Sequence, residues 1–148
     1  MKTVYFDNNA TTRVAPEVIE AMAPFFRDLW GNASSMHFFG GQVKRHIDTA
    51  RAQCAALIGA DPSEIVFTSC GTESDNMAVF GAAEAAERKV RIITSRVEHP
   101  AVLGPCRRLA ERGYDLVELG VDSSGQLDLQ DLKKALAAGP AVVSIMWA

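Results

Sequence analysis

The stretch EIVFTSCGTESDN (64–76), followed by KVRIITSRVEHPAV (89–102), decides the fold. Each half carries a short apolar run rich in β-branched residues, then a Gly or Pro where a helical pattern opens. Residues 64–68 read as a strand and 72–88 as a helix. Residues 90–97 read as the next strand and 100–112 as the next helix. Outward from there the alternation continues: a strand over 114–121, a helix over 129–138 ended by Gly139-Pro140, and a strand over 141–147. Strands separated by helices of this length predict crossover connections and a parallel sheet flanked by helices, an α/β fold.

The first third differs. Residues 3–6 form a short extended piece. Pro16 opens a helix towards Trp30, with Pro24 as a kink. Residues 31–41, GNASSMHFFGG, read as a loop. Residues 42–58 read as an amphipathic helix that buries Val43, Ile47, Ala50, Cys54 and Leu57 along one face. These segments divide the chain into an extended N-terminal piece (1–15), a helical piece (16–60) and an α/β piece (61–148). The last run, AVVSIMWA (141–148), is apolar and has no cap or polar tail. That predicts a chain cut inside a larger α/β domain.

Composition sets bounds on function. Apolar residues make up 48% and charged residues 22%, which excludes disorder, collagen and coiled coil. The net charge is -3 with no basic cluster, which argues against nucleic-acid and membrane-surface binding. No apolar run approaches the roughly 20 residues of a membrane helix. MKTVYFDNNATT turns polar after three apolar residues, so no secretory signal is expected. Cys54, Cys70 and Cys106 show no zinc or redox spacing, so no metal ligands are assigned and a reducing cytoplasm is expected.

Two segments lie where ligands bind in open α/β sheets, beyond the carboxyl ends of the strands. In TSCGTESDN (68–76) a strand ends, Gly71 permits close approach and Thr72 starts a helix. Backbone N–H groups, the helix dipole and a hydroxyl suit a phosphate. The same residues also read as a capping box of Thr72 with Asp75. No Walker lysine and no G-x-G-x-x-G are present. In VEHPAV (97–102), His99 reaches the same sheet edge just before Pro100. It either stacks on a planar ligand and moves a proton, or caps its helix. His46 reads as solvated, and His37 lies in the Gly-rich loop.

The motifs YFDNNATT, GNASSMHFFG, TSCGTESDN and VEHPAV, in this order and spacing, resemble the NifS-like cysteine desulfurases. The resemblance runs from Tyr5 to Ala148. It implies the aspartate-aminotransferase fold (fold type I, class V aminotransferases), with 61–148 the incomplete first half of the large domain that binds pyridoxal 5'-phosphate. The implied reaction takes L-cysteine to L-alanine and leaves sulfur as a persulfide on an enzyme cysteine. A homodimer, an iron–sulfur scaffold protein as sulfur acceptor, iron–sulfur cluster assembly and nitrogen fixation follow from the same likeness, as does a link to metal-binding proteins. It gives Gly71 and Thr72 the cofactor phosphate, and His99 ring stacking and proton transfer. Asn8, Ala10 and Thr11 fall on the substrate side. Asn32, Ser34, Ser35 and His37 match a signature near the site and the subunit interface, where Ala33 replaces the usual Pro.

The family's Schiff-base lysine follows a Ser-His pair, a context that none of Lys2, Lys44, Lys89, Lys133 and Lys134 has. No cysteine matches the persulfide nucleophile: Cys54 reads as buried on its helix, Cys106 follows a helix start, and Cys70 reads as a small buried residue beside the phosphate turn. Cys70 before Gly71-Thr72 leans towards the nitrogen-fixation branch. Selenocysteine lyase, another class V aminotransferase, and a non-catalytic phosphate-binding α/β domain are the alternative readings.

Overall fold

The computed structural model describes residues 4–147. Thr3, at the head of the expected extended piece, and Ala148 lie outside them. The chain separates into two compact units, one ending at Val66 and one starting at Phe67.

The first unit begins with a turn in which the N–H groups of Ala10 and Thr11 donate to the Asp7 carbonyl. Helix α1 (Pro16–Arg27) starts on Pro16, whose fixed φ suits the first helical position. It stops short of Trp30 because the N–H groups of Asp28 and Leu29 both close onto the Pro24 carbonyl. Helix α2 (Phe38–Ile58) starts four residues earlier than its periodicity predicts. His37 causes this: its Nδ1 accepts the Gly40 N–H at 3.3 Å and caps the first turn. Gly40 is obligatory there, since a Cβ would lie 2.4 Å from the Asn32 carbonyl oxygen. Helix α2 ends on Gly59 at φ 69°, a left-handed cap that favours glycine.

The expected buried face of α2 is only partly realised. Of the expected face Val43 is buried and Ala50 half-buried, but Ile47, Cys54 and Leu57 are exposed; Ala55, outside that face, is buried instead. The spacing puts the expected residues on one face of the helix, but sharing a face does not by itself bury them.

The expected strand over 64–68 is also absent. Pro62–Glu64 instead forms a 3-10 turn. The Asp61 carboxylate accepts the Ser63 N–H at 2.8 Å, and Glu64 accepts the Asp61 N–H at 2.7 Å. This reciprocal cap fixes the segment locally, and residues 65–68 run extended without joining the sheet.

The second unit is α/β as expected: α3 (Gly71–Glu84), β1 (Arg91–Ser95), α4 (Pro100–Glu111), β2 (Leu116–Leu119), α5 (Leu129–Leu136) and β3 (Ala141–Ser144). The strands pair in parallel, in the order β2-β1-β3. Ile93 lies opposite both Val117 and Val143. Successive residues of central β1 face opposite sides. Ile92 packs with Val79, Ala83, Val102, Cys106 and Leu109 of α3 and α4. Ile93 packs with Leu119 and Ala135 of β2 and α5. The central strand is therefore covered on both faces, which is why its sequence is a continuous apolar run rather than an alternating one. Among the described residues no helix is long and apolar enough to cross a membrane.

Candidate cofactor site

Strand β1 delivers His99. The chain leaves the sheet at Ser95, and Pro100 takes the first position of α4. His99 is the N-cap: its Nδ1 accepts the Ala101 N–H at 3.1 Å. An accepting Nδ1 carries no proton, so the neutral ring bears its proton on Nε2. The preceding residue, Glu98, is buried. Its Oε1 accepts the Ser95 hydroxyl at 3.2 Å and the backbone N–H of Met146.

Helix α3 brings Thr72 to the same place. Asn76, one turn along α3, donates from its side-chain amide to the Thr72 carbonyl at 2.8 Å and to the Ala101 carbonyl at 3.2 Å. One side chain thus ties the first turn of α3 to the first turn of α4. Thr72, Asn76, Phe80, His99, Ala101 and Arg108 line an open groove of about 430 Å³. The structure brings Thr72 and His99 together on this groove. Gly71 stands at the helix start beside Thr72, and a Cβ added there would meet nothing within 4 Å.

The capping box of Thr72 with Asp75 does not form. Helix α3 starts one residue earlier, on Gly71, so its N-cap is Cys70, which supplies no side-chain cap. The acidic side chain of the first turn, Glu73, folds back to accept the Ser69 N–H at 2.6 Å and the Ser69 hydroxyl at 2.7 Å. Those bonds hold its carboxyl below the ordinary range, the hydroxyl contributing most. The first turn of α3 therefore combines an uncapped helix start, a neighbouring hydroxyl and open space. That donor set fits a phosphate. A planar ring would find an exposed imidazole on the same groove.

Cys70 is exposed rather than buried. It is the N-cap of α3, in extended backbone with φ -166° and ψ 171°. The Glu73 backbone N–H, and after it the Ser69 hydroxyl, lower the pKa of its thiol. Cys106 is the buried thiol, and burial raises its pKa.

Asn8, Ala10 and Thr11 lie in the N-terminal turn of the first unit, where the Thr11 hydroxyl meets the Tyr5 hydroxyl at 2.9 Å. In the 31–37 loop, Asn32 Oδ1 accepts the Ser34 N–H at 2.9 Å, and His37 caps α2. His46 is exposed, with its ring edge-on to Phe25 at 5.1 Å. Sequence reasoning missed Asn76 and Glu98. The signal for Asn76 was its place four residues after Thr72, one helical turn along the same face.

The second unit is an α/β fold of parallel strands flanked by helices, with Thr72 and His99 on one groove. The chain is a member of the aminotransferase class-V family, whose model matches residues 4–148. It is 55% identical to a cysteine desulfurase of Nostoc sp. (strain PCC 7120 / SAG 25.82 / UTEX 2576) over 148 residues, all of this chain and 37% of the relative. A solved NifS-like protein superposes with a TM-score of 0.87 at 44% identity, over 98% of this chain and 40% of that one. SspA, solved in complex with cysteine, gives 0.84 at 38% identity, over 97% of this chain and 42% of that one. The chain thus spans just over a third of the length of the curated relative.

Proposed function

We propose that this chain is the cofactor-phosphate-binding part of a pyridoxal-phosphate-dependent cysteine desulfurase, which converts L-cysteine to L-alanine and passes sulfur on as an enzyme persulfide. The observation that carries the reading is the shared groove of Thr72 and His99 beside an uncapped helix start. The family membership and the similarity along the whole chain support it. Gly71 and Thr72 hold the phosphate, His99 meets the ring, and Asn8, Ala10 and Thr11 serve the substrate side. The covalent lysine and the sulfur-accepting cysteine are assigned to no residue of this chain. A cytoplasmic homodimer, an iron–sulfur scaffold as acceptor and a role in nitrogen fixation belong to the same proposal.

When bound, the cofactor supplies an electron sink for negative charge at the substrate Cα. This chain's residues anchor, orient and handle protons. The first-turn N–H groups of α3 and the Thr72 hydroxyl donate to the phosphate. Asn76 keeps that turn in register with α4. With Nδ1 accepting the Ala101 N–H, Nε2 is the ring nitrogen that carries the proton.

The anchor is tested by Thr72→Val, measured as the dissociation constant for pyridoxal 5'-phosphate. A hydrogen bond to a charged group contributes roughly 1.5–3 kcal/mol. Affinity should fall about tenfold to a hundredfold with the fold intact. An unchanged constant would show that Thr72 does not hold the phosphate.

A further inference from the structure

We propose that Glu98 is the positioning residue for His99, through a buried carboxylate that locks the end of β1 to the segment beyond β3. This rests on the reading of His99 given above. Strand β1 pairs with β3 up to Thr94 opposite Ser144. Past that rung β1 keeps its pairing with β2, the Arg96 N–H donating to the Leu119 carbonyl at 2.9 Å, while no further β1–β3 pair forms. The N–H of Met146 would then lose a main-chain acceptor on β1. Glu98 supplies the acceptor instead, reaching 48 positions along the chain with Oε1. The same oxygen takes the Ser95 hydroxyl. A side chain thus adds one further rung to a parallel ladder, at the point where the main chain leaves it.

The location gives the rung its consequence. Glu98 is 8% exposed and, with Thr94 and Ser95, is one of three buried polar or charged residues among the described residues, all on this segment. A buried carboxylate without partners is costly, so the turn that satisfies it is strongly favoured. His99 follows directly, and Pro100 restricts the backbone of the residue before it. With Glu98 pinned on one side and Pro100 on the other, the backbone that carries the imidazole is held at both ends. From there Nδ1 meets the Ala101 N–H. A packing residue alone would not need a carboxylate here; an acceptor is what the Met146 N–H and the Ser95 hydroxyl require.

The test uses the full chain labelled with 15N and compares Glu98→Gln, Glu98→Met and Ser95→Ala with the parent. Gln keeps an acceptor oxygen; Met keeps the volume and loses the acceptor. Two readouts are independent of activity: the exchange rate of the Met146 amide, and the side-chain 15N shifts of His99, which report its tautomer. His37, whose Nδ1 caps a different helix, is the internal standard. Glu98→Met should speed Met146 exchange at least tenfold and move His99 from the Nε2–H form to a tautomer mixture. Glu98→Gln should restore both, and Ser95→Ala should fall between, with His37 unchanged throughout. Fast Met146 exchange with an unaltered His99 tautomer would overturn the proposal, as would Glu98→Met behaving like the parent. Should Glu98→Met unfold, Ser95→Ala still decides: no change at His99 in that variant counts against it. None of these outcomes depends on turnover, so a failure of the His99 acid–base reading would show separately, as normal turnover in a His99 variant, and a failure of the desulfurase reading as no turnover of cysteine by the parent.

Discussion

The two units use the same kind of sequence pattern and end with opposite surfaces. In the second, the apolar residues of β1 close on α3 and α4 on one face and on β2 and α5 on the other: Ile92, Ile93, Cys106 and Leu109 are each 1% exposed or less. In the first, α1 and α2 also carry apolar stripes, yet Ile19, Met22, Phe26 and Leu57 remain exposed. Periodicity states which residues share a face; it does not state what covers that face. A strand between two neighbours buries both faces by its own topology. A lone helix pair has no such guarantee.

The strongest way to break this contrast is a pair of truncations. Leu109→Ala, in the core of the second unit, should destabilise by about 2–5 kcal/mol. Leu57→Ala should change stability by less than about 0.5 kcal/mol. Urea unfolding of the two variants measures the difference, and equal losses would abolish the contrast.

A second comparison uses the thiols. Cys70 and Cys54 are exposed and Cys106 is buried. Under native conditions near neutral pH, iodoacetamide should modify Cys70 first, since its neighbours favour the thiolate, then Cys54. Cys106 should react only as the core opens. Mass spectrometry of tryptic peptides over time gives the order, and early labelling of Cys106 would contradict the packing of the second unit. Burial raises the Cys106 pKa, so its contribution to stability is present below the ordinary thiol pKa and is lost as pH rises through the folded value.

The smallest effect concerns the rim of that core. Arg107 donates to Glu118 at 2.7 Å and 3.1 Å, and these bonds lower the Glu118 pKa. A depressed carboxyl contributes stability above its ordinary pKa and loses it as pH falls through the folded value. Glu118→Gln should flatten the acid side of a stability-versus-pH profile slightly, because Arg107 is largely in water. An unchanged profile would mean that the pair contributes nothing.

Much of this was legible from residues alone. The helices after Gly71, Pro100 and Asp128, and the strands around Ile92, Val117 and Val142, follow from apolar periodicity and from Gly and Pro punctuation. The site edge followed from where the β1 segment meets VEHPAV. What escaped was local competition. Asp61 and Glu64 form a reciprocal cap that displaced an apolar strand signal over 64–68. His37 started α2 early, because an imidazole nitrogen can serve as a cap although it is seldom sought there. Cys70 took the cap position expected for Thr72, and its side chain makes no cap hydrogen bond to the first turn of α3. The roles of Asn76 and Glu98 depend on partners 25 and 48 positions away, and no local window contains them.

The central claim is that His99 handles a proton at the groove rather than merely capping α4. The direct measurement is turnover of cysteine to alanine in the holoenzyme that contains this sequence, with His99→Asn beside His99→Ala. Asn replaces the cap and cannot cycle a proton at neutral pH. Both variants should still bind the cofactor through Gly71 and Thr72 and should lose roughly 10²–10⁴ in turnover, the usual share of a positioned acid or base. His99→Asn with near-normal turnover, and a defect confined to the stability of His99→Ala, would show that the histidine is a helix cap and would remove it from the chemistry.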